Sequence, residues 1–238
     1  MPIDLAEKLK KDFTHMTHKK SIMVVAQPDH PFYFELIKHY KVRTIDEAIN
    51  SFETYDLVID LSPLRTQKKY LFLKELAKTT KADIISDLTL CWAEWIFKYA
   101  PQVKAAISTL FFSPTNAIEY SFSNSDEPLL KLVLDEFAKI SNAKLVEHKN
   151  LKLSFHYPRV ISMIVNEAYF ALGEELASPT DIDLAMKNGV NYPLGPIEWG
   201  DKIGLSNIAQ LLDELHTVTK DDRYRLSTQL KLNALRNL

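Results

Sequence analysis

Residues 178–198 read SPTDIDLAMKNGVNYPLGPIE, and this stretch decides how the last third of the chain folds. Ser178 is a helix N-cap residue, Pro179 suits the first helical position, and Asp181 places an acid in the first turn, so a helix starts here. It runs into a rigid turn, Asn191-Tyr192-Pro193-Leu194-Gly195-Pro196, whose prolines and glycine fix the direction of the next helix. Asp183 and Glu198 also lie where helix starts accept negative charge. Upstream, residues 160–176 are apolar almost all the way round, which predicts a deeply buried helix. Downstream, residues 205–218 read as a final long helix. From about His156 the chain is expected to be all-helical.

The texture before that point is different. Residues 21–26 are a short apolar run ended by Gln27-Pro28, which reads as a buried strand. Helical spacing over 32–40 and a strand near 42–44 come next. Thr44 and Glu47 form a capping-box pattern that opens a helix carrying Ile45, Ala48, Ile49 and Phe52. The alternation goes on with strands at 56–61, 82–88, 105–112, 118–122 and 144–148. Helices at 66–79, 92–99 and 127–140 separate most of them. Helical crossovers between strands imply a largely parallel sheet, so this part is expected to be a doubly wound, Rossmann-like α/β domain. Ahead of it, Leu5, Leu9 and Phe13 mark a short amphipathic helix, and residues 14–20 a polar linker. The expected organisation is a leading helix and linker (1–20), a Rossmann-like domain (21–155) and a helical domain (156–238).

Composition narrows the function. The 238 residues carry a formal charge of −2, which argues against a nucleic-acid footprint. The apolar fraction, 46%, is enough for a packed core, yet no run approaches the ~18 apolar residues of a membrane span. The single cysteine, Cys91, reads as a buried thiol and fits a reducing compartment; a cytoplasmic protein is expected. The seven histidines show no metal-ligand spacing, and the His15/His18 pair is weak, so no metal is expected. All five glycines lie at or after Gly173. At an average usage near 7%, about 12 would be expected before it. Activities that need a glycine-rich loop in that region are therefore disfavoured.

The 178–198 stretch, with Asp201 and Ile203-Gly204-Leu205 after it, closely resembles the C-terminal domain of 3-hydroxyacyl-CoA dehydrogenases. The resemblance runs from Phe155 to about Ser227. It implies a Rossmann-like domain followed by an all-α domain of the 6-phosphogluconate dehydrogenase C-terminal type, with the helical domain forming a homodimer. It also implies an oxidoreductase of fatty-acid metabolism that oxidises a 3-hydroxyacyl-CoA, such as 3-hydroxybutyryl-CoA, with NAD.

The motifs that the resemblance requires can be sought position by position. The glycine-rich turn that should hold the NAD pyrophosphate is Ala26-Gln27-Pro28-Asp29-His30-Pro31, with Ala26, Pro28 and Pro31 at the glycine positions. Both prolines remove N–H donors that a phosphate would need. The ribose-binding acid would be Asp46, which is equally a first-turn acid of the Thr44-capped helix. The proton-transfer segment, His-Phe-Phe-Asn-Pro in the family, is Leu110-Phe111-Phe112-Ser113-Pro114, and a leucine cannot move a proton. The glutamate that orients the histidine falls at Phe122, or at Glu119 if three residues are deleted; a solvated edge-strand acid is the plainer role for Glu119. The hydroxyl loop is Ser86-Asp87-Leu88-Thr89-Leu90, where Ser86 and Thr89 keep hydroxyls. The family's Asn before Arg159 is Pro158, beside His156 and Tyr157.

The expected function is therefore a catalytically degenerate relative, a pseudoenzyme. It would keep the cleft and the dimer surface to bind an acyl-CoA-like ligand or a protein partner. No cofactor is expected unless the family activity survives, in which case it is NAD. One alternative is an active dehydrogenase in which Glu119 or His156 compensates. Another is a different chemistry in the same cleft, using Ser86, Thr89, His156 and Tyr157.

Overall fold

Residues 21–51, 53–124 and 127–236 are described by a computed structural model. The expected helix over 3–13, the linker 14–20 and Phe52 lie outside the described residues. Among the described residues, seven strands make one sheet: β1 (Ile22–Val25), β2 (Lys41–Arg43), β3 (Leu57–Asp60), β4 (Asp83–Asp87), β5 (Val103–Ser108), β6 (Ala117–Phe122) and β7 (Lys144–Glu147). Their order is β2-β1-β3-β4-β5-β6-β7. All neighbouring pairs are parallel except β5 and β6, which run antiparallel with Ser108 opposite Glu119.

The period of two in the apolar runs decides which side chain enters which layer. Met23 and Val25 pack on one face with α2 (Ile45–Ile49), α3 (Thr66–Thr79) and α4 (Ala93–Tyr99). Val24 and Ala26 face the other way, onto α1 (Tyr33–Leu36) and α5 (Pro128–Ile140). Helix α5 buries Leu130, Val133, Leu134 and Phe137, an i, i+3, i+4, i+7 stripe. Each such burial contributes about 1.5–3 kcal/mol. The Thr44–Glu47 capping box forms as expected and starts α2.

The last third is helical: α6 (His156–Gly173), α7 (Pro179–Val190), α8 (Pro196–Ile203), α9 (Leu205–Thr219), a 3₁₀ turn (Asp222–Tyr224) and α10 (Thr228–Arg236). Ser178 caps α7 by accepting the N–H of Asp181. Asp183 of α7 accepts the N–H groups of Ile197 and Glu198, at 2.8 and 3.1 Å, and so caps α8 from the neighbouring helix. This contact requires Gly195: a Cβ there would lie inside the Asp183 carboxyl group. Lys187 pairs with Glu198 at 2.8 Å and closes the same corner. The 178–198 motif is thus a device for joining two helices. Arg65, just ahead of α3, ties the sheet to α9 through Asp213 (2.6 Å) and Glu214 (2.8 Å).

Three segments differ from the sequence expectation. The helix over 32–40 shrinks to the single turn α1, because Phe34 and Ile37 point outward and Leu36 alone is buried there. The strand over 105–112 ends at Ser108, since Leu110 and Phe111 leave the sheet to join the helical core. The helix over 205–218 is not the last. Asn166, buried in α6, binds the Arg225 carbonyl and the Ser227 N–H, at 2.9 and 2.8 Å, and so docks the segment that leads into α10. No helix among the described residues is long and apolar enough to cross a membrane.

Candidate functional site

In a doubly wound sheet, ligands bind beyond the carboxyl ends of the strands, where consecutive connections leave in opposite directions. Here that place lies outside β1 and β3, and two buried polar networks fill its floor. In the first, Asp60 at the end of β3 is fully buried against the equally buried Lys69 of α3, at 2.6 Å. Lys69 also donates to the carbonyl and hydroxyl of Ser62, at 2.8 and 2.9 Å. Asp60 accepts the N–H and hydroxyl of Ser62 and, at 2.6 Å, the hydroxyl of Ser86. Every strong donor and acceptor of the pair is satisfied, which a buried ion pair demands.

The second network begins in the first strand-to-helix turn. His30 folds back into the protein, 6% exposed. Its Nδ1 accepts the N–H of Phe32 at 3.2 Å, so its Nε2 carries the proton and donates to the Thr109 hydroxyl at 2.9 Å. Thr109 in turn donates its hydroxyl and its N–H to Asp87, at 2.5 and 2.7 Å. Asp87 also accepts the N–H of Thr89 at 2.8 Å. Burial holds the His30 imidazole down at about 4, against the weaker upward pull of Asp29 and Asp60. Burial likewise raises the Asp87 carboxyl, with the threonine hydrogen bonds pulling it back. His30 is therefore a neutral imidazole at pH 7, fixed in one tautomer.

Above this floor lies a cleft of about 280 Å³ between the sheet and the helical unit. Asp29, His30, Thr109, Leu110, Phe112 and Ile118 line its sheet side, and Lys202 and Asn207 its helical side. Lys202 stands 5.3 Å from the centre of the Phe112 ring.

The turn does not fit a dinucleotide pyrophosphate. Pro28 and Pro31 have no N–H, and those of His30 and Phe32 are taken within the turn by the Gln27 carbonyl and the His30 ring. The helix beyond it is four residues long and has little dipole to offer. Ala26 packs into the core, and Pro28 and Pro31 are exposed beside the Asp29 carboxylate. Asp46 is an exposed acid in the first turn of α2.

The candidate acid–base residues are separated into two groups. Ser86 and Thr89 are fully buried. Ser86 is held by Asp60; Thr89 donates its hydroxyl to Ser108 at 3.0 Å and accepts the Ser154 hydroxyl at its carbonyl. Neither lines the cleft. Leu110 does line it, but its side chain is 7% exposed and packs with Phe111 among the side chains of α6, α8 and α9.

Glu119 and His156, by contrast, are brought together. Glu119 is not a solvated edge acid: β6 runs between β5 and β7, and the residue is 7% exposed. Its carboxylate faces Nε2 of His148 at 2.6 Å and accepts the Tyr157 N–H at the start of α6. The His156 ring lies edge-on to His148, with centroids 4.4 Å apart. His148 directly follows β7 and carries no signal in the sequence, because its partners are 29 and eight positions away. Tyr157 donates its hydroxyl to the Phe112 carbonyl at 2.8 Å and accepts the Trp199 indole N–H at 3.1 Å. Burial pushes that phenol up to about 12. Cys91 is buried beneath the sheet end, which raises its thiol well above the ordinary range.

Comparison with known proteins places this architecture. The model of the 3-hydroxyacyl-CoA dehydrogenase C-terminal domain matches residues 155–236. The helical third of the chain is therefore similar to the C-terminal domain of that family. A 3-hydroxyadipyl-CoA dehydrogenase of Escherichia coli is 46% identical over 77 residues, 32% of this chain and 16% of that protein. A Deinococcus radiodurans protein named "Probable 3-hydroxybutyryl-CoA dehydrogenase" is 32% identical over 140 residues, 53% of this chain and 50% of its own length. The chain thus spans half or less of these two curated relatives. The solved (S)-3-hydroxybutyryl-CoA dehydrogenase of Ralstonia eutropha shares the fold at a TM-score of 0.60 and 24% identity, over 84% of this chain and 71% of that one. The family model covers the helical motif at 178–198 and does not extend to the first turn or to Leu110.

Proposed function

We propose that this protein is a 3-hydroxyacyl-CoA dehydrogenase relative that does not carry out the dehydrogenase reaction and instead binds an acyl-CoA-like ligand in the interdomain cleft as a homodimer. The observation that carries this reading is Leu110. By resemblance it falls at the position of the proton-transferring histidine, and its side chain packs into the helical core. Glu119, the alternative candidate for the orienting glutamate, turns its carboxylate to His148 and Tyr157. A cleft without that base can still hold a thioester. Leu110, Phe112 and Ile118 offer an apolar wall for an acyl chain, and Lys202 and Asn207 offer charge and hydrogen bonds at the mouth.

Dimerisation is supported by α7, which buries none of its residues within the chain and exposes Leu184 and Val190. Leu176, just ahead of α7, is exposed as well, and covering such apolar side chains would favour a second copy. The runner-up reading is an active NAD-dependent enzyme. What favours it is that Glu119 and His156 do converge, so an acid–base pair exists near the junction of sheet and helices.

Titration of the purified protein with acetoacetyl-CoA, alongside an assay for NADH oxidation by the same compound, separates the two. Saturable binding without turnover, weakened in Lys202→Glu, is expected. Turnover of NADH would overturn the proposal in favour of the active enzyme. Absence of any binding would remove the ligand it names.

A further inference from the structure

Glu119, His148 and His156 come from β6, from the end of β7 and from the first position of α6, and their ligand atoms all lie within 4.8 Å of one another. We infer that these three side chains form a binding site for a zinc-class divalent ion, which joins the far edge of the sheet to the start of the helical unit. The donor set is two imidazoles and one carboxylate, a combination that binds zinc and leaves a fourth position open.

Three features of the geometry support this assignment. Nε2 of His148 is buried and has no properly directed hydrogen-bond partner. It stands 2.6 Å from the Glu119 carboxylate but off the line that a hydrogen bond requires. Two donor atoms packed side by side without pointing at each other suit a shared third centre better than a pair. The Tyr157 N–H donates to both oxygens of Glu119, at 3.1 and 3.3 Å, and so orients the carboxylate from behind, as outer-shell groups do in metal sites. Finally, the exposed His156 leaves the site open to solvent for entry and for a water ligand. Ligands of one zinc, at about 2.0–2.2 Å each, can stand about 4.2 Å apart at most. Loading the ion requires the exposed His156 ring to turn inward and the 2.6 Å His148–Glu119 contact to open to the ~3.3 Å that separates tetrahedral zinc ligands.

The test is calorimetric titration of the chelator-treated full chain with zinc chloride, repeated with magnesium chloride. One equivalent of Zn²⁺ is expected to bind, with no comparable affinity for Mg²⁺. His156→Ala removes an exposed side chain that the fold does not need, and it should weaken Zn²⁺ binding at least about tenfold. Glu119→Gln should do the same, with circular dichroism confirming that the variant folds. His15→Ala/His18→Ala guards against capture of the ion by that pair and should leave the affinity unchanged. Substituting Co²⁺ should give the visible absorption of a low-symmetry, four-coordinate site, absent in His156→Ala. No saturable Zn²⁺ binding, or binding that survives in both His156→Ala and Glu119→Gln, overturns the inference.

Discussion

Replacing Lys69 by methionine isolates the charge at the centre of the sheet's carboxyl edge. Methionine keeps most of the aliphatic stem inside the fully buried site and removes the ammonium. Three donations are lost: to Asp60 at 2.6 Å, to the Ser62 carbonyl at 2.8 Å and to the Ser62 hydroxyl at 2.9 Å. Asp60 keeps its bonds from Ser62 and Ser86 but is left as an uncompensated buried carboxylate. Breaking a buried pair in this way costs about 3–5 kcal/mol. Equilibrium urea unfolding should show that loss as a lower midpoint at constant slope. Asp60→Asn alone should be similarly damaging, because it strands the ammonium. The double variant Lys69→Met/Asp60→Asn should be more stable than either single variant, since neutral groups replace both charges. A Lys69→Met loss below about 1 kcal/mol, or a double variant as unstable as the sum of the singles, would refute the reasoning.

His30 should make stability depend on acidity. Its folded value near 4 lies below the 6.5 of the unfolded chain, so the stabilisation is complete above pH 6.5 and is lost as pH falls towards 4. The loss amounts to about 3 kcal/mol. Asp87, raised by burial, works in the opposite direction. The difference between the pH–stability curves of the natural chain and His30→Gln isolates the histidine: the two should converge as pH drops from 7 to 4, and parallel curves would show that His30 is not buried neutral. Gly195→Ala should cost about 2–4 kcal/mol in thermal or urea unfolding, because its Cβ displaces the Asp183 cap of α8. Gly189→Ala, with no atom within 4 Å of the added carbon, should instead stabilise α7 by about 0.5–1 kcal/mol. If the two alanine variants behave alike, the capping role assigned to Asp183 fails.

Local chemistry makes much of the fold legible. The capped starts of α2 and α7 and the strands buried on both faces each follow from neighbouring residues, and all appear where the sequence puts them. What requires the structure is long-range. Leu110 and Phe111 have strand-like composition, yet they leave the sheet because the helical core offers them more burial. Ser86 and Thr89 read as hydroxyls of a strand-end loop that could serve the cleft, and only their buried partners Asp60, Asp87 and Ser108 show them turned away from it. His30 reads as one residue of a degraded turn; its partners Thr109 and Asp87 are 79 and 57 positions away. Glu119 reads as an edge acid because the pairing of β7 outside β6 leaves little trace in the sequence.

The central claim of the proposal is that the first turn of this chain does not serve a dinucleotide. Calorimetric titration with NADH tests it most directly, because no substrate need be guessed. No heat of binding is expected up to millimolar NADH. Saturable binding with a Kd in the micromolar range, about −8 kcal/mol, would contradict the claim and restore the family's reaction as the function to pursue.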